Sequence, residues 1–298
     1  GMDAVVHLAA IPHPGGAPEP ALFRINDEGS FNVYRAAADA GIDRVVSASS
    51  INALGYNYGI KSFPIRYFPI DEDHPTYTTD PYSFSKQILE AIAAYFWRRE
   101  GISGVCLRFP AVIDPASSWI QRMRGFFSHR RAAFETLRAM PAEERRARID
   151  PLLDAAEARR AERLRERPWK EQRRGSRRHR EDPSSPPPPE RVVMFGRTDF
   201  WTLIHVEDVA QAIERGLMAT YAGSHPLFVC DRDNALGVPS RLLAEYYFPE
   251  VDTWRREVPG TQALVSTARA KALIGFETEN SMLTWFEETA EEAAPLPF

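Results

Sequence analysis

Asp80-Pro-Tyr-Ser-Phe-Ser-Lys86 opens the clearest helix in the chain. Asp80 is a favoured N-cap residue and Pro81 suits the first helical position. Phe84, Ile88, Leu89, Ile92, Phe96 and Trp97 then recur at helical spacing until Gly101 stops the run. Gly104 to Arg108 follows as a short apolar stretch of strand type. Upstream the same alternation repeats. Met2 to Ala10 and Arg44 to Ser50 are strand-like, and Leu22 to Ala40 suits a helix closed by Gly41. Strand–helix–strand–helix–strand order predicts an α/β fold with a parallel sheet and helices packed on it.

Composition bounds the rest. The 298 residues are 44% hydrophobic and 26% charged, ordinary for a globular chain of about two domains. No apolar run approaches the roughly 18 residues of a membrane span, and no leader pattern precedes the first strand. Two cysteines, Cys106 and Cys230, exclude a disulfide scaffold and suit a reducing compartment, so a cytoplasmic location is expected. Seven scattered histidines show no metal-ligand spacing, and no metal site is expected.

The net charge of −4 conceals an asymmetry, since residues 121–191 carry 20 basic and 12 acidic side chains. Residues 131–171 are helical in propensity with a weak apolar stripe (Ile149, Leu152, Leu153, Ala156, Leu164), and Arg173 to Glu190 reads as a stiff, Pro-rich linker. This stretch is expected to be a solvated, Arg-rich helical insertion. Interspersed acids and sparse aromatics argue against nucleic acid as its partner. Apolar runs resume at Arg191–Phe195, Thr202–Val206 and Pro226–Cys230, with a helix from Glu207 to about Ala219 and three shorter ones behind it.

Tyr82 and Lys86 lie one helical turn apart, so both leave the same face near the helix start. An ammonium beside a phenol favours the phenolate, and the pair can act as a general acid–base group. With 10 tyrosines and four lysines, chance yields about 0.13 such pairs, so the neighbours must decide. The plain alternative is an amphipathic helix with both side chains exposed. Ser50 ends a strand, where open α/β sheets bind ligands, although turn capping would also explain it. His7-Leu-Ala-Ala10 brings small residues to another strand end.

The series His7-Leu-Ala-Ala10, Asn26-Asp-Glu-Gly29, Ser49-Ser50 with Gly55, Tyr82-x-x-x-Lys86, Leu107-Arg-Phe-Pro110 and His205-Val-Glu-Asp208 resembles the extended short-chain dehydrogenase/reductase family. This is the branch of NAD-dependent epimerases and dehydratases acting largely on nucleotide sugars. The resemblance implies a partial Rossmann-like, doubly wound parallel sheet (1–120), the helical Arg-rich insertion (121–190), and remaining core with a small C-terminal substrate-side lobe (191–298). It implies catalytic roles for Tyr82, Lys86, Ser50 and Asn26. Ala9, Ala10, Ser49, Tyr82, Lys86 and Pro110 would bind the cofactor, NAD in preference to NADP. A sugar or nucleotide-sugar substrate and a homodimer are the expected partners. Capping and packing are the preferred roles for His205 and Asp208.

Members of this family open with a Gly-rich strand–turn–helix that receives the pyrophosphate. Gly1 instead begins at what resembles a later strand, so roughly 60 residues, two βαβ units, are expected upstream. The alternative is a non-catalytic relic of the fold that binds partners through its Arg-rich insertion.

Overall fold

The computed structural model describes residues 1–61, 63–162 and 188–288, with side chains throughout except 118–128, 161 and 162. Chain order begins with β1 (Val5–His7), then α1 (Glu19–Phe23), a π turn (Arg24–Glu28) and α2 (Gly29–Asp39) in one continuous helical segment. After β2 (Arg44–Ala48) and a 3-10 turn (Ile51–Leu54) come α3 (Pro81–Glu100), β3 (Ser103–Arg108) and β4 (Ala111–Ile113). Helices α4 (Ser118–Ala139), α5 (Ala142–Glu162) and α6 (Pro189–Met194) precede β5 (Leu203–His205). The rest is α7 (Val206–Met218), β6 (Ser224–Phe228), α8 (Ser240–Tyr247), α9 (Ala268–Ile274) and α10 (Met282–Glu288).

Four strands form a parallel sheet in the order β1-β2-β3-β6, with Val46 opposite Val105 and Leu107 opposite Leu227. Parallel strands buried on both faces read as continuous apolar runs, which is why they were visible in the sequence. On one face Val46, Val105, Leu107 and Leu227 pack against Ala212 and Ile213 of α7. On the other, Val45 and Cys106 meet Tyr34 of α2 with Leu89 and Phe96 of α3. The expected caps of α3 are present: Asp80 Oδ1 accepts from Ser83 N at 2.9 Å, and Gly101 closes the helix at φ 75°. No helix among the described residues is long and apolar enough to cross a membrane.

The apolar runs after the linker take different forms: Val192 and Val193 lie in α6. The Thr202–Val206 stretch yields β5, which pairs with β4 outside the main sheet. The structure departs from expectation at the insertion, because α4 and α5 are not a solvated excursion. Phe134, Leu137 and Ile149 are fully buried in the largest core cluster with Phe68, Trp201 and Phe248. Arginines serve as packing here: Arg160 Nη1 donates to the carbonyls of Tyr56 (2.6 Å) and Gly59 (2.9 Å) and its guanidinium lies 4.9 Å from the Tyr56 ring centre. Aliphatic stems and satisfied heads let such residues bury without an apolar stripe. Leu164 and the Pro-rich linker lie largely outside the described residues.

Candidate active site

Tyr82 and Lys86 emerge from the first two turns of α3 and are both buried, so neither is the exposed side chain of a merely amphipathic helix. Lys86 Nζ stands 5.7 Å from the centre of the Tyr82 ring and donates to the Ala48 carbonyl at 2.7 Å. Ser50 lies two residues beyond that carbonyl. Its hydroxyl interacts with the Tyr82 phenol and accepts from Asn52 N at 3.1 Å, capping the Ile51–Leu54 turn. Capping and a place beside the phenol are therefore compatible, and Ser50 has both. Tyr58 packs edge-on against Tyr82, ring centres 5.8 Å apart.

A small cleft beside this trio is lined by Ala9, Ala10, Asn26 and Lys86 together with His7 and Ser30. Asn26, in the π turn, is fixed on three sides. Its Oδ1 accepts from Ile11 N (2.8 Å), and its Nδ2 donates to the Ile11 carbonyl (3.1 Å) and to Ser85 Oγ (3.0 Å). Ser30 gives its proton to the Asn26 carbonyl, so His7 Nε2, 2.9 Å away, is the donor to Ser30 Oγ. Ser49 and Pro110 are buried but stand outside the cleft lining. Ser49 Oγ donates to Glu90 Oε1 at 2.7 Å. Pro110 follows the β3 terminus, whose Phe109 carbonyl accepts from Ile51 N at 2.9 Å.

The electrostatics differ from the simple reading of an amine that acidifies a phenol. Burial pushes the Tyr82 phenol above its ordinary value, with Ser50 opposing and Asp80 adding to the rise. Burial also lowers Lys86 to about 8, against the pull of Cys106, Asp27 and Glu90. Desolvation thus outweighs mutual charge in this pocket, because each charged form loses water before gaining a partner. Asp27, next to Asn26, is 3% exposed, and neither carboxylate oxygen has a hydrogen-bond partner. Burial raises it to about 7, with the Lys86 charge working against the shift.

Several of these participants were not anticipated. His7, Ser30 and Ser85 build the support around Asn26, while Asp27 and Glu90 supply carboxylates near Lys86. Only Glu90 carried a readable cue, standing one helical turn beyond Lys86. Outside the cleft, His205 Nδ1 caps α7 by accepting from Glu207 N at 3.1 Å. Asp208 accepts from Asn280 Nδ2 at 2.8 Å. Capping and packing describe both.

Residues 1–141 match the NAD dependent epimerase/dehydratase family. The match is confined to that span, just under half of the chain. Family members bind NAD or NADP. An L-arabinose 1-dehydrogenase (NAD(P)(+)) from Haloferax volcanii is 35% identical over 114 residues, 36% of this chain and 44% of that protein. The matched stretch therefore spans less than half of such a relative. A short-chain dehydrogenase/reductase superfamily protein from Agrobacterium tumefaciens, solved with NAD, superposes at TM-score 0.53 and 21% identity, covering 98% of this chain and 79% of that one. A UDP-glucose 4-epimerase from Thermotoga maritima, solved with UDP-glucose, gives TM-score 0.53 at 16% identity over 97% and 76%. At those identities the two structures establish the shared Rossmann-like fold.

Proposed function

We propose that this chain is a member of the epimerase/dehydratase family and an NAD(P)-dependent oxidoreductase acting on a hydroxyl of a sugar or nucleotide sugar, with NAD the first coenzyme to test. The observation that supports it most is the convergence of Tyr82, Ser50 and Lys86 at the carboxyl end of β2, where ligands of open α/β sheets bind. The end of β1 beside this set suits the approach of the nicotinamide end of a coenzyme. Ala9 and Ala10 are small enough for a flat ring to approach, and the buried Lys86 amine supplies a donor beside it.

In this reading the coenzyme, when bound, supplies reversible hydride acceptance. Tyr82 exchanges the proton of the reacting hydroxyl. Its raised pKa keeps the phenol protonated at rest, so its work as a base depends on the Lys86 ammonium, which predominates below about pH 8. Ser50 holds the reacting oxygen against the phenol, and Asn26 fixes the loop beyond β1 through Ile11. Epimerisation, dehydration and simple oxidation all share this proton transfer. A homodimer through the outer faces of α2 and α3 is the assembly this reading expects, because Phe31, Phe84 and Tyr95 stay exposed there.

The test is a titration with NADH followed by its fluorescence, with turnover assays on L-arabinose and UDP-glucose with NAD⁺. Tyr82→Phe is expected to cut turnover by about 10²-fold or more while leaving NADH affinity close to the parent. A parent chain that neither binds NADH nor turns over either sugar would overturn the proposal.

A further inference from the structure

Three residues of α3, each one turn from the next, grip three consecutive residues at the end of β2. Tyr82 meets Ser50, Lys86 donates to the Ala48 carbonyl at 2.7 Å, and Glu90 Oε1 accepts from Ser49 Oγ at 2.7 Å. Glu90 is held in turn by a two-pronged contact with Arg108, the last residue of β3. Arg108 Nε donates to Oε1 and Nη2 to Oε2, each at 2.8 Å. Arg108 is 4% exposed and the Glu90 side chain 11%.

We infer that the Glu90–Arg108 pair clamps Ser49 and so positions the two atoms that meet the acid–base set, the Ala48 carbonyl and the Ser50 hydroxyl. This rests on the reading of Tyr82, Lys86 and Ser50 given above. Ser49 is the residue between those two contacts, so any freedom it gains passes to both. A buried ion pair seldom adds net stability over a well-packed apolar pair, whereas a forked one fixes geometry closely. The pair also joins the ends of β2 and β3, where Ile51 N donates to the Phe109 carbonyl at 2.9 Å. Glu90 is thus a positioning residue, acting through Ser49.

The reactivity of Lys86 reports the clamp directly. Competitive acetylation at pH 8, read by mass spectrometry with the exposed Lys61 as internal reference, measures how firmly the amine is held. Ser49→Ala is expected to raise Lys86 labelling about fivefold, the weight of one net hydrogen bond, while lowering the melting temperature by only a few degrees. Ser49→Thr, which keeps the hydroxyl, is expected to label like the parent, and Glu90→Gln to fall between. Parent-like labelling in Ser49→Ala, or equal loosening in Ser49→Thr, would overturn the inference. Should Glu90→Gln fail to fold, the two Ser49 variants still decide it. Failure of NADH to bind the parent would instead remove the catalytic meaning of the set, leaving the labelling result intact.

Discussion

Lys86 spends its buried amine on the carbonyl of Ala48, 2.7 Å away across the junction of α3 and β2. Held there at about 8, it binds fewer protons in the folded chain than in the unfolded one between about pH 8 and 10.5. Stability supplied by this group therefore rises with pH through that window, and below it the buried charge is a full penalty. Lys86→Met removes the penalty. The melting temperature of the variant relative to the parent is expected to fall as pH goes from 7 to 10, with turnover lost throughout. A flat difference across that range would contradict the assignment.

Asp27 offers the mirror-image case. Its folded value of about 7 lies above the ordinary 3.8, so the folded chain binds the extra proton between those limits. The stability it supplies is present at low pH and declines as pH rises through about 7. Asp27→Asn is expected to melt only a little above the parent at pH 5, where the folded carboxyl is still protonated but the unfolded one has ionised. At pH 9 it should melt higher, because the parent then buries an unpaired carboxylate. Thermal melts at the two pH values check this, and a larger gain at pH 5 would refute it.

Gly104 occupies the middle of the sheet, opposite Val45 of β2 and Ser224 of β6. A Cβ added there would stand 1.9 Å from the Val45 carbonyl oxygen. Backbone cannot yield as a flexible side chain can, so Gly104→Ala is expected to cost about 3 kcal/mol or more. Urea unfolding of the variant should show the loss as a lower midpoint, or as failure to accumulate folded protein.

Phe134 tests whether α4 belongs to the core. It is fully buried and stacks on Tyr246 with ring centres 5.8 Å apart. Phe134→Ala is expected to destabilise the whole chain by about 3–5 kcal/mol. An exposed helix would lose almost nothing in the same urea titration.

The sequence announced the main elements wherever one force dominated. β2 and β3 were legible because both faces of a central parallel strand must be apolar, and α3 because Asp80-Pro81 and Gly101 mark its two ends. Tyr82, Lys86 and Ser50 were legible as spacing and strand position, and the structure brings them together. What stayed hidden depends on tertiary partners. Arg160 buries its head by finding two loop carbonyls some hundred residues away, which no local pattern encodes. The direction of the Tyr82 shift was misread for the same reason, since desolvation is set by the surrounding packing. Asp27, a carboxylate in the π turn between α1 and α2, gives no hint in sequence that both its oxygens will lack partners.

Arg160 has one more implication. By holding the carbonyls of Tyr56 and Gly59 it brackets Tyr58, the ring that leans edge-on against Tyr82. Next to Tyr58 in the chain, Asn57 Nδ2 donates to Asp199 at 2.8 Å, tying the same loop to the turn before β5. The aromatic wall over the phenol is thus suspended between two distant parts of the chain, so its tilt is a mechanical readout of how α5 and that turn are seated.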